Sequence, residues 1–244
     1  MRTDGRTPND LRKISITPHV SEYAEGSAIV EFGKTKVLCT ASYEAMLPQW
    51  LKGSGQGWVT AEYGMLPRST HQRIKRDKAS TSGRTQEISR LIGRSLRAAV
   101  DLKKFGEHQL FIDCDVLNAD GGTRTAAITG GFVAMALAFQ KLKAVSEIKE
   151  IPLTHYVSAV SVGLQNGQPL LDLNYDEDSA IGTDMNFVMT DACEFVELQG
   201  TAEHHPFSKN DLLKMLEFAE LGCQKLFETQ AEAVGTIFPY KKRV

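Results

Sequence analysis

Residues 120–125 read Asp-Gly-Gly-Thr-Arg-Thr. Two adjacent glycines let the backbone approach a ligand closely. Thr123 and Arg124 follow where an apolar helical pattern opens. A helix N-terminus presents free N–H groups and a partial positive charge. A hydroxyl and a guanidinium beside it complete an anion site of phosphate size. The pattern is neither a Walker loop nor a dinucleotide fingerprint. A plain structural turn with a solvated Arg124 accounts for the same residues, and both readings stand on this segment alone.

Two further clusters could carry chemistry. In YDEDSAIGTDMN (175–186), Asp176, Glu177, Asp178 and Asp184 fall within nine residues. Carboxylates so placed can share one Mg²⁺, whose shell is completed by water and substrate phosphate. A solvated acidic loop is the alternative, and the EF-hand pattern is absent. Between Pro67 and Arg84 lie Arg68, Arg73, Lys75, Arg76, Lys78 and Arg84 against the single acid Asp77. This excess suits a polyphosphate backbone, although a charge run can also be a solvated face. The glycines of 53–57 lack the lysine and helix of a phosphate loop and read as a turn. Adjacent His204 and His205 cannot readily converge on one ion, and no Ser–His–Asp or Cys–His set can be argued. Together the three clusters match what phosphorolysis of a polynucleotide demands. Substrate and nucleophile are both anions, and cations must bring them together.

The bulk composition bounds these readings. The chain has 244 residues, 42% hydrophobic and 24% charged, with a net charge of −2. That suits a globular protein with a sizeable core, and any RNA affinity must be local. Cys39, Cys114, Cys193 and Cys223 form no CxxC pair and read as small buried hydrophobes in a reducing compartment. The N-terminus carries no apolar signal region. No apolar stretch approaches the ~20 residues of a membrane span, so a cytoplasmic protein without membrane attachment is expected.

The elements that must position the clusters follow from periodicity. Strands are expected at 14–17, 27–32, 35–43 and 57–63. Residues 64–83 lack an apolar period and read as a long mobile basic loop. Residues 85–102 read as a helix, with Ile88, Leu91, Ile92, Leu96 and Ala99 at helical spacing. A strand at 108–117 precedes the glycine turn and a helix at 126–143. Residues 155–164 and 169–173 form a hairpin around Asn166-Gly167. A strand at 186–198 follows, then a helix at 209–232 with Ser208 as N-cap. Residues 233–244 read as a flexible tail. The expectation is one α+β domain spanning 1–244, with two strand-rich halves each followed by a helix.

At this point a family resemblance is legible. RTDGR (2–6), GSGQGWVTAEYGMLPRST (53–70), SGRTQEISRLIGRSLRA (82–98), IDCDVLNADGGTRTAAITG (112–130), DLNYDEDSAIGTDMNFV (172–188) and ELQGTAE (197–203) closely resemble the bacterial ribonuclease PH family of phosphorolytic exoribonucleases. The resemblance implies a fold like the second domain of ribosomal protein S5 and a homo-hexamer built as a trimer of dimers. It implies that inorganic phosphate removes nucleotides from RNA 3′ ends as nucleoside diphosphates, reversibly, with tRNA precursors as substrates. It assigns phosphate binding to Arg84, Gly122, Thr123 and Arg124, the catalytic Mg²⁺ pair to Asp178 and Asp184, and tRNA guidance to Arg68, Arg73 and Arg76. Related polynucleotide phosphorylases carry a lysine shortly after the second aspartate; here Met185-Asn186 follows, so no such role transfers. Related exosome rings also contain subunits that bind RNA without catalysis, and these tend to lack the arginines or acidic pair kept here.

Overall fold

The computed structural model describes residue 2 and residues 4–76, 82–203 and 206–240. Among them, strands β1 (Ile14–Pro18), β2 (Gly26–Phe32), β3 (Thr35–Glu44), β4 (Trp58–Met65) and β5 (Gln109–Asn118) form one sheet in the order β1-β2-β3-β5-β4. All its pairings are antiparallel except β4 with β5. A parallel pair needs a long crossover, and helices α1 (Gly83–Arg97) and α2 (Leu102–Phe105) lie in it. The second sheet has the order β7-β6-β8-β9, from β6 (Val157–Gln165), β7 (Gln168–Leu171), β8 (Thr183–Thr190) and β9 (Phe195–Ala202), all antiparallel.

Helix α3 (Thr123–Ala144) is the centre of the core. It packs on β2, β3 and β5 of the first sheet and on β6 of the second. A helix apolar all round belongs inside, and α3 is buried almost throughout. It is also long and apolar enough to cross a bilayer, contrary to the sequence expectation, but 89% of the relevant window is buried within the protein. Helix α4 (Tyr175–Ala180) joins β7 to β8, and α5 (Lys209–Val234) covers β6 and β7. The architecture is α+β, as expected.

Several boundaries differ for local reasons. The helix expected at 85–102 ends at Arg97, because Asp101 accepts from the N–H groups of Lys103 and Lys104 at 3.1 and 3.2 Å and starts α2. The strand expected at 186–198 is a hairpin, with Cys193 at φ 59° in its turn. Cys193 is exposed, unlike the other three cysteines. The acidic stretch is not a loop: Asn174 and Glu177 form a capping box that starts α4.

The basic segment is folded at its start. Strand β4 runs to Met65, and Ser69 is 2% exposed, its carbonyl accepting from Ala119 N–H at 2.8 Å. Ile74 N–H donates to Pro67 O at 2.9 Å. Residues 77–81 of that segment, with Lys78, lie outside the described residues, as do His204 and His205.

The tail expectation is overturned for 233–240. A 3₁₀ turn at Gly235–Ile237 leads Phe238 and Tyr240 onto Tyr156, with ring centroids 5.3 and 5.4 Å away. The Tyr156 hydroxyl donates to Phe238 O at 2.5 Å. Aromatic burial beats the basic character of the last residues; 241–244 lie outside the described residues.

Candidate active site

Strand β5 delivers the chain into the glycine turn, and α3 begins at Thr123, three residues earlier than its apolar period suggests. Gly121 and Gly122 have φ of 73° and 63°, a left-handed region costly to other residues. A Cβ on Gly121 would lie 2.5 Å from Leu173 O and 2.7 Å from the Asn174 carbonyl carbon. The turn therefore rests directly on the segment leading into α4. Gly122 is the N-cap of α3 and supplies no capping side chain. The first N–H groups of a helix have no intrahelical partner, so this end is suited to an anion.

Two side chains flank that end. Thr123 Oγ1 is hydrogen-bonded to the Tyr63 hydroxyl at 2.8 Å. Arg124 donates to Gln199 Oε1 at 2.5 Å and to Glu87 Oε1 at 3.4 Å, and Gln199 Nε2 donates to the same Glu87 oxygen at 3.0 Å. Arg84 opens α1, behind the N-cap Ser82, whose hydroxyl accepts from Thr85 N–H at 3.1 Å.

Asp178 lies on α4 and Asp184 on β8. Burial, then the Asp184 charge, raises the Asp178 pKa, against lowering fields from Arg84, Arg124 and Arg12. Burial raises that of Asp184 too, with Arg124 opposing and Glu203 adding to it. The structure thus brings Arg84, Thr123, Arg124, Asp178 and Asp184 into one neighbourhood. Desolvated carboxylates of like charge are a place where a cation is favourable. Among the described residues no group of three or more His, Cys, Asp or Glu side chains could hold a metal. Mg²⁺ commonly takes one or two carboxylates and completes its shell with water and phosphate, so the pair fits such an ion.

The other acids of the stretch do different work. Burial favours a raised Glu177 pKa, but hydrogen bonds from Arg2 and from Asn174 N–H, with the Arg2 and Arg6 charges, hold it below the usual range. Asp176 borders a groove with Asp4, Lys13 and Lys34. Arg68 and Arg73 are exposed, and Arg68 donates to His71 O at 3.2 Å. His71 packs against Tyr175, the first residue of α4, at 5.9 Å between centroids. Arg76 borders a cavity of about 710 Å³ with Glu62, Asp113 and Asp115.

Sequence reasoning missed Tyr63, Glu87 and Gln199, whose partners are distant in the chain and leave no local signal. It also missed a buried ionic cluster. Arg2 pairs with Glu177 at 2.6 Å and Arg12 with Asp172 at 2.7 Å, while Arg6 donates to Asp172 O at 2.9 Å. The polar run at 2–12 was the available hint, because charges that must be buried are paired.

Comparison with known proteins decides the family. Domain 1 of the 3′ exoribonuclease family matches residues 10–139, and domain 2 matches residues 155–221. The chain belongs to the 3′ exoribonuclease family. Within it, the chain is 73% identical over 238 residues to Ribonuclease PH of Bdellovibrio bacteriovorus, covering 98% of each. More distant solved structures share the fold. The crystal structure of rice (Oryza sativa) Rrp46 matches with a TM-score of 0.77 at 20% identity, over 96% of this chain and 100% of that one. The Archaeoglobus fulgidus exosome with RNA bound to the active site gives 0.76 at 22% identity, over 93% and 91%.

Proposed function

We propose that this chain is a phosphorolytic 3′→5′ exoribonuclease acting on tRNA precursors, with the glycine turn as its phosphate site. The observation that carries this reading is the convergence of Arg84, Thr123 and Arg124 at an uncapped helix end beside a desolvated aspartate pair. In the reaction, a phosphate oxygen bonds to the terminal phosphorus of RNA and the bond to O3′ breaks. The products are a nucleoside diphosphate and RNA shorter by one nucleotide, and the reverse reaction adds a nucleotide.

The N–H groups at the start of α3, Thr123 Oγ1 and the guanidiniums of Arg84 and Arg124 bind and orient phosphate, cancelling its repulsion from the scissile phosphate. Glu87 and Gln199 hold Arg124 before phosphate arrives. Asp178 and Asp184 would hold Mg²⁺, which supplies charge stabilisation at the reacting phosphorus when bound. Arg68, Arg73 and Arg76 guide the tRNA body by its backbone. We further assign the chain a cytoplasmic location and a homo-hexamer made as a trimer of dimers, on the strength of its family. Retention of the arginines and of the acidic pair favours an active enzyme over an inactive ring subunit.

Digestion of a 3′-extended tRNA with and without inorganic phosphate tests the reading. Nucleoside diphosphates formed only with phosphate support it, and monophosphates formed without phosphate overturn it. Sedimentation tests the assembly: an active species of single-chain mass would rule out the ring.

A further inference from the structure

Arg12 lies between the two halves of the site described above, and the proposed chemistry gives it no part. Its side chain is 4% exposed and the Asp172 side chain 0%. On one side its guanidinium grips Asp172 in a fork, Nε to Oδ2 at 3.0 Å and Nη2 to Oδ1 at 2.7 Å. Its backbone N–H donates to Asp172 Oδ2 at 2.8 Å. On the other side Nη1 donates to Asp120 O at 2.5 Å, and Gly121 O lies 3.4 Å from Nη2. Thr35 completes the joint, donating to Gly121 O at 2.6 Å and accepting from Asp120 N–H at 3.0 Å.

These contacts fix an orientation. A trans peptide holds its C=O and N–H antiparallel. With the carbonyls of Asp120 and Gly121 turned to Arg12, the N–H groups of Gly121 and Gly122 point away from it. A cation on the carbonyl side also polarises each peptide and strengthens its N–H as a donor. Asp172, six positions before Asp178, is the foot of the α4 arm, and Arg2 and Arg6 grip its carbonyl at 3.0 and 2.9 Å.

We propose that Arg12 is a positioning residue, which locks the phosphate turn to the arm carrying Asp178 and aims the turn's N–H groups at phosphate. This rests on the phosphate-site reading given above. A lysine at this position keeps a charge near Asp172 but cannot bridge to the two carbonyls in a fork.

The test is calorimetric titration of the full chain with inorganic phosphate, beside turnover, RNA binding and thermal melting. The variants are Arg12→Lys, Thr35→Val and Arg124→Ala. Arg12→Lys should weaken phosphate binding about tenfold and lower kcat about as much, well below its melting temperature, while RNA affinity holds. A purely stabilising role would lower the melting temperature and leave phosphate binding to the folded protein unchanged. A folded Arg12→Lys whose phosphate affinity and kcat stay within about twofold of the parent overturns the proposal. If Arg12→Lys does not fold, Thr35→Val decides: weaker phosphate binding supports the joint, and parental binding overturns it. Parental phosphate binding by Arg124→Ala would instead bring down the phosphate-site reading, and the present proposal with it.

Discussion

The Tyr63 hydroxyl on β4 lies 2.8 Å from Thr123 Oγ1 at the start of α3, and Tyr63 is only 4% exposed. A residue of the crossover-linked strand thus holds the hydroxyl of the proposed anion site. Tyr63→Phe should cost about 0.5–1.5 kcal/mol of stability, the net worth of one hydrogen bond. It should also raise the Michaelis constant for phosphate, because the freed Thr123 hydroxyl can turn away. Melting and initial-rate measurements check both; an unchanged phosphate dependence would leave Tyr63 with packing alone.

Arg84 and Arg124 should each be worth about 1.5–3 kcal/mol in charge-assisted contacts to phosphate. Alanine at either position should depress phosphorolysis and nucleotide addition together, by roughly 10- to 150-fold. Assaying both directions across a phosphate series checks this. An Arg124→Ala enzyme with parental phosphate kinetics would exclude that residue.

The acidic pair makes a prediction with a definite sign. Burial, then Asp184, raises the Asp178 pKa. A raised folded-state pKa contributes stability at acid pH that is lost as pH rises through the elevated value. Asparagine carries no such charge. Asp178→Asn should therefore melt above the parent near neutral pH, the gap closing as pH falls into the carboxylate range, while turnover collapses. Mg²⁺ should raise the melting temperature of the parent but not of Asp178→Asn/Asp184→Asn. A double variant that turns over normally in Mg²⁺ would make the pair structural.

Gly121→Ala tests the contact between turn and arm. Alanine at φ 73° costs about 1–2 kcal/mol, and its Cβ would meet Leu173 O at 2.5 Å. Both activity and melting temperature should drop. Gly53→Ala, also at positive φ but with nothing within 4 Å, should lose stability only. Equal activity losses in the two would mean that backbone strain, not the contact, is responsible.

Replacing Arg68, Arg73 and Arg76 with alanine should weaken binding of a tRNA precursor. Each lost phosphate contact should flatten the log–log salt slope by about 0.7–0.9. A short single strand that reaches only the proposed phosphate and metal residues should be cut nearly as before. Matching losses on both substrates would move the segment into the catalytic site.

What the sequence disclosed and what it hid divide on physical lines. The glycine turn, the Ser208 cap and the Asn166-Gly167 hairpin rest on local chemistry and were legible. The hairpin turn at 191–194 was not, because Cys193 takes its left-handed conformation in place of a glycine. The aromatic seat of Phe238 and Tyr240 depends on Tyr156, far back in the chain. The site residues legible from their types were those proposed to bind the anion and the cation. Those that orient them, Arg12, Tyr63, Glu87 and Gln199, act across 37 to 160 positions.

The same long reach orders the events of folding. Arg2 is synthesised well before its partner Glu177, 175 positions downstream, and Arg12 waits 160 positions for Asp172. Contacts of such separation pay their loop-closure entropy before they gain anything. The first sheet and α3 are translated before Asp172 exists, so a growing chain can own a glycine turn without its backing. Competence to bind phosphate should therefore appear late, in synthesis and in refolding alike. A nascent chain should gain the backing of its proposed phosphate turn only once Asp172 has joined it.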